Sequence, residues 1–176
     1  MRPSLAQLKG RKNLVGVEIG VGTGVNSKSI MENLNVRRLY LIDPYDKYSD
    51  YVKELKQSNN FSKKTVLLGE ETAKKNLQKW KSKLIWLKDK SDMAVKSVVD
   101  KLDFVYVDGN HERDYVKRDI ELFWPKLKKG GLMAGHDFLP KFQGVIEAVN
   151  EMFKDYEVAS ITTDKKPNVD WWVWKK

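Results

Sequence analysis

One acidic side chain and three glycines stand together in Glu18-Ile19-Gly20-Val21-Gly22-Thr23-Gly24. Alternate glycines let a backbone turn tightly and approach a ligand closely, and the amides of a following helix suit a negative group. Glu18, two residues ahead of the first glycine, can pair with the amino group of an aminoacyl ligand. The loop is not the dinucleotide fingerprint G-x-G-x-x-G, because Val25 stands where its third glycine would be. Farther along, Asp43 precedes Pro44 at the end of an apolar run. An acid there suits ribose hydroxyls, in a nicotinamide enzyme as in others. The two histidines of the chain both stand near aspartates, in Asp108-Gly109-Asn110-His111 and in His136-Asp137. Carboxylates beside imidazoles can hold a cation or move a proton near neutral pH.

The elements that must position these groups follow from apolar periodicity. Leu14 to Ile19 is a strand stopped by glycines, and Asn26 or Ser27 can cap a helix through Ile30, Met31 and Leu34. Arg38 to Asp43 is a second strand, ended by Pro44. A polar stretch from Tyr45 to about Ser62 precedes a helix around Glu70 to Trp80, and Lys83 to Leu87 is a third strand. Ser91 to Val99 reads as helical, with Met93, Ala94, Val98 and Val99 available for packing and Ser91 or Asp92 as its cap. Leu102 to Asp108 is nearly all apolar, as a strand buried on both faces of a parallel sheet should be. A helix from Arg113 to Leu127 follows, with Pro125 closing or kinking its last turn and Gly130-Gly131 punctuating its end. Then come a strand from Leu132 to His136 and a helix from Gln143 to Phe153. Two last runs, Tyr156 to Thr162 and Trp171 to Trp174, flank a polar loop with Pro167 and Asn168. That spacing is too short for a crossover helix, so these strands pair antiparallel. The expected fold is α/β: a Rossmann-like, doubly wound, seven-stranded sheet, mostly parallel, with a C-terminal antiparallel β-hairpin. Ligands should sit at the carboxyl ends of its strands. In the last strand Trp172 and Trp174 share one face and Trp171 takes the other, which makes them sheet packing.

The first motif and the acid ending strand two resemble those of class I S-adenosylmethionine methyltransferases. The resemblance implies that Glu18, Gly20, Gly22, Thr23, Gly24, Asp43 and Pro44 hold the cofactor. It also implies that Asp89, Lys90 and Ser91, after strand three, flank the adenine. Asp108-Gly109-Asn110-His111 and Gly130-Gly131-Leu132-Met133-Ala134-Gly135-His136-Asp137 are similar, more narrowly, to the signatures of the small-molecule O-methyltransferase-like family. That family includes macrocin and sugar methyltransferases and the cephalosporin hydroxylase protein, and its pattern covers nearly all of the chain from strand one onward. In such a fold Asp108 and Asp137 end adjacent strands, so their carboxylates can converge on Mg²⁺ or another divalent cation, with His136 as a neighbouring ligand. Asp108 would also touch the cofactor, and His111 is the candidate general base. His111 and Tyr45 are the candidate acceptor contacts.

Composition narrows the choices. The chain has 176 residues, 41% of them hydrophobic, which favours one domain spanning 1–176. The lack of cysteine excludes disulfides, thiolate metal sites and cysteine nucleophiles, and fits a reducing compartment. No run approaches the roughly 20 apolar residues of a membrane span, so the expectation is a cytoplasmic protein with no membrane partner. The net charge of +9 would attract polyanions, but its lysines are scattered among acids, as on solvated faces. The leading expectation is methyl transfer to an oxygen of a small hydroxylated acceptor. An RNA or other nucleic-acid acceptor is the alternative. A protein that binds the cofactor without turnover and an NAD-dependent oxidoreductase stand behind it. The short stretch before strand one leaves few acceptor-recognition elements, so either the pocket is open or a homodimer partner supplies its walls.

Overall fold

The computed structural model describes residues 1–45, 63–163 and 166–176, without the side chains of 63–66, 162, 163 and 166–168. In chain order the elements are α1 (Pro3–Ala6), β1 (Leu14–Ile19), α2 (Val25–Asn33), β2 (Val36–Ile42), α3 (Lys63–Leu77), β3 (Leu84–Leu87), α4 (Ser91–Ala94), β4 (Leu102–Val107), α5 (Arg113–Phe123), β5 (Leu127–Gly135), α6 (Gln143–Met152), β6 (Glu157–Thr163) and β7 (Lys166–Trp174). The strands form one seven-stranded sheet in the order β3-β2-β1-β4-β5-β7-β6. The first five pair in parallel, and β7 runs antiparallel to both β5 and β6. This is the doubly wound sheet with an antiparallel end that the sequence implies.

Every residue of β1 is buried, as a central parallel strand covered on both faces must be. One face carries Leu5 and Leu8 of the N-terminal segment, Ile30 and Met31 of α2, and Ala73 and Leu77 of α3, packed on Leu39, Leu41, Phe104 and Tyr106. The other carries Ala94 and Val98, Val116, Ile120 and Phe123 of α5, and Val145, Ala148 and Val149 of α6, packed on Val15, Val17, Val105 and Val107. Alternation along β7 places Trp171 in the second layer and Trp172 and Trp174 in the first.

Several local expectations give way to tertiary context. Asn26 and Ser27 do not cap α2: Gly24, at φ 73°, precedes it, and both side chains turn to Glu18. Lys90, not Ser91 or Asp92, is the N-cap of α4. Met93 and Val99 are exposed, which leaves Ala94 and Val98 to pack. α5 ends at Phe123 because Pro125 forms a 3₁₀ turn over Trp124–Lys126. β5 then starts at Leu127, so Gly130 and Gly131 fall inside it, where its register with β4 shifts. Pro167 and Asn168 belong to β7, opposite Thr162 and Ile161, and not to the hairpin loop. The polar stretch 46–62, Tyr48 included, lies outside the described residues.

The segment ahead of β1 is part of the packed fold. Its helix α1 packs on β5, β6 and β7. Ser4 Oγ and N donate to Asp170 Oδ2 at 2.6 and 3.3 Å, and Tyr106 Oη donates to Asp170 Oδ1 at 3.1 Å. Asp170 is fully buried, and these donors offset the cost of placing a carboxyl there. No helix among the described residues is long and apolar enough to cross a membrane.

Across the β5–β7 pair Gly135 opposes Trp171, and a Cβ on Gly135 would lie 2.6 Å from the indole. Gly135→Ala should therefore destabilise the protein by about 1–3 kcal/mol. The expected reading is a lower urea midpoint at unchanged m-value, partly recovered by Trp171→Leu in the same chain.

Candidate active site

The chain leaves β1 toward β2 and β3 but leaves β4 toward β5, so the carboxyl ends of β1 and β4 bound the crevice where strand order reverses. The ladder continues past both strands: Asp108 N donates to Ile19 O at 2.8 Å, and Gly20 N to Ile42 O at 2.8 Å. Gly20 has φ 85°, and a Cβ there would lie 2.1 Å from the Asp108 carbonyl oxygen. Only glycine permits both that φ and that approach. A cavity of about 680 Å³ opens at this point, within the roughly 300–1,000 Å³ range of small-molecule sites. Glu18, Gly20 to Thr23 and Asp43 to Tyr45 line one side, and Lys90, Ser91, Asp108 to Asn110 and a face of α5 line the other.

Two acids stand on the first side. Glu18 is buried; Asn26 Nδ2 donates to its Oε1 at 3.0 Å and Ser27 Oγ to its Oε2. Burial outweighs these donors, and the nearby Asp108 and Asp43 charges add to it, so the Glu18 carboxyl is pushed up to about 8. Asp43 Oδ2 accepts from Val21 N at 3.0 Å and Gly22 N at 2.9 Å, and Oδ1 accepts from Tyr45 N at 2.9 Å. Burial raises its pKa against those amides. Tyr45 Oη donates to Gly22 O at 2.9 Å. Asp43 and Tyr45 thus stiffen the glycine loop from beneath while remaining on the cavity wall.

The second group of acids meets the histidines. Asp108, His111 and Asp137 bring one ligand atom each within 4.8 Å of one another. His111 Nε2 lies 2.9 Å from Asp137 Oδ2, and its ring packs on Phe142 at 4.5 Å between centroids. His136 Nδ1 lies 3.0 Å from Asp137 Oδ1 and 3.6 Å from Asp108 Oδ1, while Arg2 Nη1 sits 2.6 Å from Nε2. Burial works against a charged His136, yet the two carboxylates raise its proton affinity. The guanidinium occupies the direction a metal would need at Nε2. Burial likewise works against a charged Asp137, but the two imidazoles hold its carboxyl well below the usual range. Asp137 has φ 56°, a left-handed conformation that non-glycine residues adopt mostly where the surroundings impose it.

Of the residues singled out in the sequence, Glu18, Gly20, Gly22, Thr23, Asp43, Pro44, Tyr45, Lys90, Ser91 and Asp108 line the cavity. Gly24 and Asp89 do not. Gly24 packs against Ala73 and Leu77, and Asp89 Oδ1 accepts from Lys90 N. His111, His136 and Asp137 lie behind Asp108, outside the main cavity. His136 joins them through Arg2 and Asp137, so the trio able to surround a cation contains His111 in its place. Sequence reasoning missed Arg2, Asn110, Tyr115, Arg118 and Asp119 on the wall. For α5 a signal existed: Tyr115, Arg118 and Asp119 recur at helical spacing beside the apolar stripe of Val116, Ile120 and Phe123. For Arg2 there was none, because its place depends on the docking of Ser4.

The cavity fits an amino-acid-bearing nucleoside. It offers buried acids for an ammonium group and hydroxyls, a backbone approach that a Cβ would fill, and the buried Asn110 Nδ2 without a hydrogen-bond partner among the described residues. Its glycine loop and acids belong to a known pattern: a methyltransferase domain model matches residues 17–138. No curated protein sequence matches the chain. Among solved structures, it is similar to a precorrin-6y C5,15-methyltransferase from Geobacter metallireducens, at 16% identity over 98% of this chain and 86% of that one, TM-score 0.67. An rRNA methylase from Streptococcus thermophilus matches at 13% identity over 100% and 98%, TM-score 0.67. An S-adenosylmethionine-dependent O-methyltransferase from Thermotoga maritima matches at 14% identity over 97% and 62%, TM-score 0.61. At such identities the solved structures speak for the shared fold, and the family match covers most of the chain. The protein is a member of the methyltransferase domain family, whose cofactor is S-adenosylmethionine.

Proposed function

We propose that the protein transfers the methyl group of S-adenosylmethionine to an oxygen of a small hydroxylated acceptor, assisted by a divalent cation on Asp108, His111 and Asp137. The observation that carries this reading is the double membership of Asp108. It lines the cavity and also belongs to the Asp and His cluster behind it, so cofactor and acceptor chemistry would meet at one side chain. When bound, the cofactor supplies a methyl carbon on positively charged sulfur. Glu18, once ionised, would accept from its ammonium group, and the remaining lone pair of Asp43 would take a ribose hydroxyl. The trio is spaced closely enough to surround one ion, and its nitrogen ligand suits Mn²⁺ or Fe²⁺ as well as Mg²⁺. A bound cation would make the acceptor hydroxyl more acidic. His111, oriented by Asp137 and by the Phe142 ring, would take the hydroxyl proton where no cation is present. The acceptor oxygen would form its bond to the methyl carbon as the carbon–sulfur bond breaks, and the electron pair would remain on sulfur as a neutral thioether.

Two expectations follow from these groups. The free protein holds Glu18 protonated below about pH 8, and pairing with an ammonium needs it ionised, so binding releases a proton. Affinity for S-adenosylhomocysteine should then rise by up to about tenfold per pH unit from pH 6 toward pH 8 and level off above it. Calorimetry should show this slope in the parent protein and a weaker, flatter profile in Glu18→Gln. An equal thermal shift with NAD would remove the cofactor reading.

The second concerns the cluster. With a panel of catechols and sugars as acceptors, Asp137→Asn should lower kcat by about a hundredfold or more, while S-adenosylhomocysteine affinity changes by less than about threefold. EDTA should lower transfer sharply, to what His111 alone supports, and Mn²⁺ or Mg²⁺ should restore it. Transfer that survives both EDTA and Asp137→Asn would sink the proposed role of the cluster.

A further inference from the structure

The cavity wall contains one buried acid that neither the glycine loop nor the Asp and His cluster uses. Asp119, on α5, is only 4% exposed. Its Oδ1 accepts from Ser91 Oγ, while Oδ2 has no hydrogen-bond partner among the described residues. A carboxyl buried for packing alone would lose its hydration for one hydrogen bond, and a leucine would serve better. Oδ2 lies 3.9 Å from the position a Cβ on Gly109 would take, so Asp119 faces the loop that leaves β4. The next residue of that loop adds an independent sign. Asn110 is 5% exposed, its Oδ1 is fixed by Glu112 N at 2.8 Å, and its buried Nδ2 has no hydrogen-bond partner among the described residues. An unused acceptor and an unused donor therefore line one end of the cavity. The same wall has a flat element, the Arg118 guanidinium stacked 4.7 Å above the Tyr115 ring.

From this arrangement we infer that Asp119 is the specificity-determining residue for the nucleobase of the cofactor, accepting a hydrogen bond from the exocyclic amino group of adenine. The inference rests on the cofactor reading above. With Glu18 and Asp43 engaging the amino acid and ribose on one side, the base would extend toward Ser91 and α5, which line the other. A purine edge with an amino donor beside a ring acceptor complements an oxygen with a free lone pair. With the carboxyl ionised, a base with a carbonyl at the same place would set oxygen against oxygen. Burial pushes the Asp119 carboxyl up to about 7, against the Ser91 hydrogen bond and the Arg118 charge, with the Asp92 charge adding to the rise. In either protonation state Asp119 can accept from an amino group, and the neutral acid can also donate to the ring nitrogen. Asp89, which the motif alone would have placed here, spends its carboxylate on the amide of Lys90.

The test is calorimetric binding of S-adenosylhomocysteine and S-inosylhomocysteine, which differ at that amino group, to the parent protein, Asp119→Asn and Asp119→Ala. At about pH 8.5, where Asp119 is ionised, the parent should prefer S-adenosylhomocysteine by about tenfold or more. Asp119→Asn, which keeps an acceptor and a donor, should stay within about threefold of the parent for that ligand. Asp119→Ala should weaken it by at least about tenfold and bind the two ligands alike. Circular dichroism melts identify any variant that fails to fold. If Asp119→Ala binds S-adenosylhomocysteine as tightly and as selectively as the parent, Asp119 does not read the base and the cofactor reading stands. If the parent binds neither ligand, the cofactor reading fails and the inference falls with it.

Discussion

The close approach of Gly20 to the Asp108 carbonyl is the constraint on which the site depends. It follows from the parallel pairing of β1 with β4, in which Ile19 stands beside Val107 and Asp108 N reaches Ile19 O. A side chain at Gly20 would push those strand ends apart, and the loop from Gly20 to Gly24 could no longer turn over the crevice. One backbone contact thereby brings Glu18, from the left half of the sheet, and Asp108, from the right half, to the same cavity. The alternation of helices on both faces makes the sheet stable; the reversal of strand order at this contact makes it a site.

The acids around the cavity are poised by what surrounds them. Glu18 and Asp119 are buried with few donors, and burial pushes their carboxyls up to about 8 and about 7. Asp137, shared by two imidazoles, is held in the opposite direction. Buried acids of that kind cost stability, and their retention in a cavity is more economically explained by a ligand than by packing.

The order of strands and helices was legible because each strand here is short, apolar and bounded by glycine, proline or polar residues, and because the central ones are buried on both faces. Leu102 to Val107 announced its central place for that reason. The closing strands could be read as antiparallel from their spacing alone. Which of them touches β5 could not, since a hairpin can dock by either edge; the fit of Trp171 against Gly135 accompanies the choice of β7. Cap signals misled at Asn26, Ser27 and Ser91 for one shared reason. Each is a short hydroxyl or amide side chain that binds a backbone when nothing else is near, and here each found a buried carboxyl instead.

What the sequence determined by itself is therefore the fold class, the glycine loop with Glu18 and Asp43, and the presence of two Asp and His motifs, since all of these rest on local spacing. What only the tertiary structure decided is which groups meet. Arg2 takes His136 and leaves His111 with the two aspartates, and Ser91 turns Asp119 into a wall of the cavity. Those meetings join residues 134, 29 and 28 positions apart, as Arg2 with His136, Asp108 with Asp137, and Ser91 with Asp119. No periodicity carries information over such separations; the packing of α1, α4 and α5 on the sheet does.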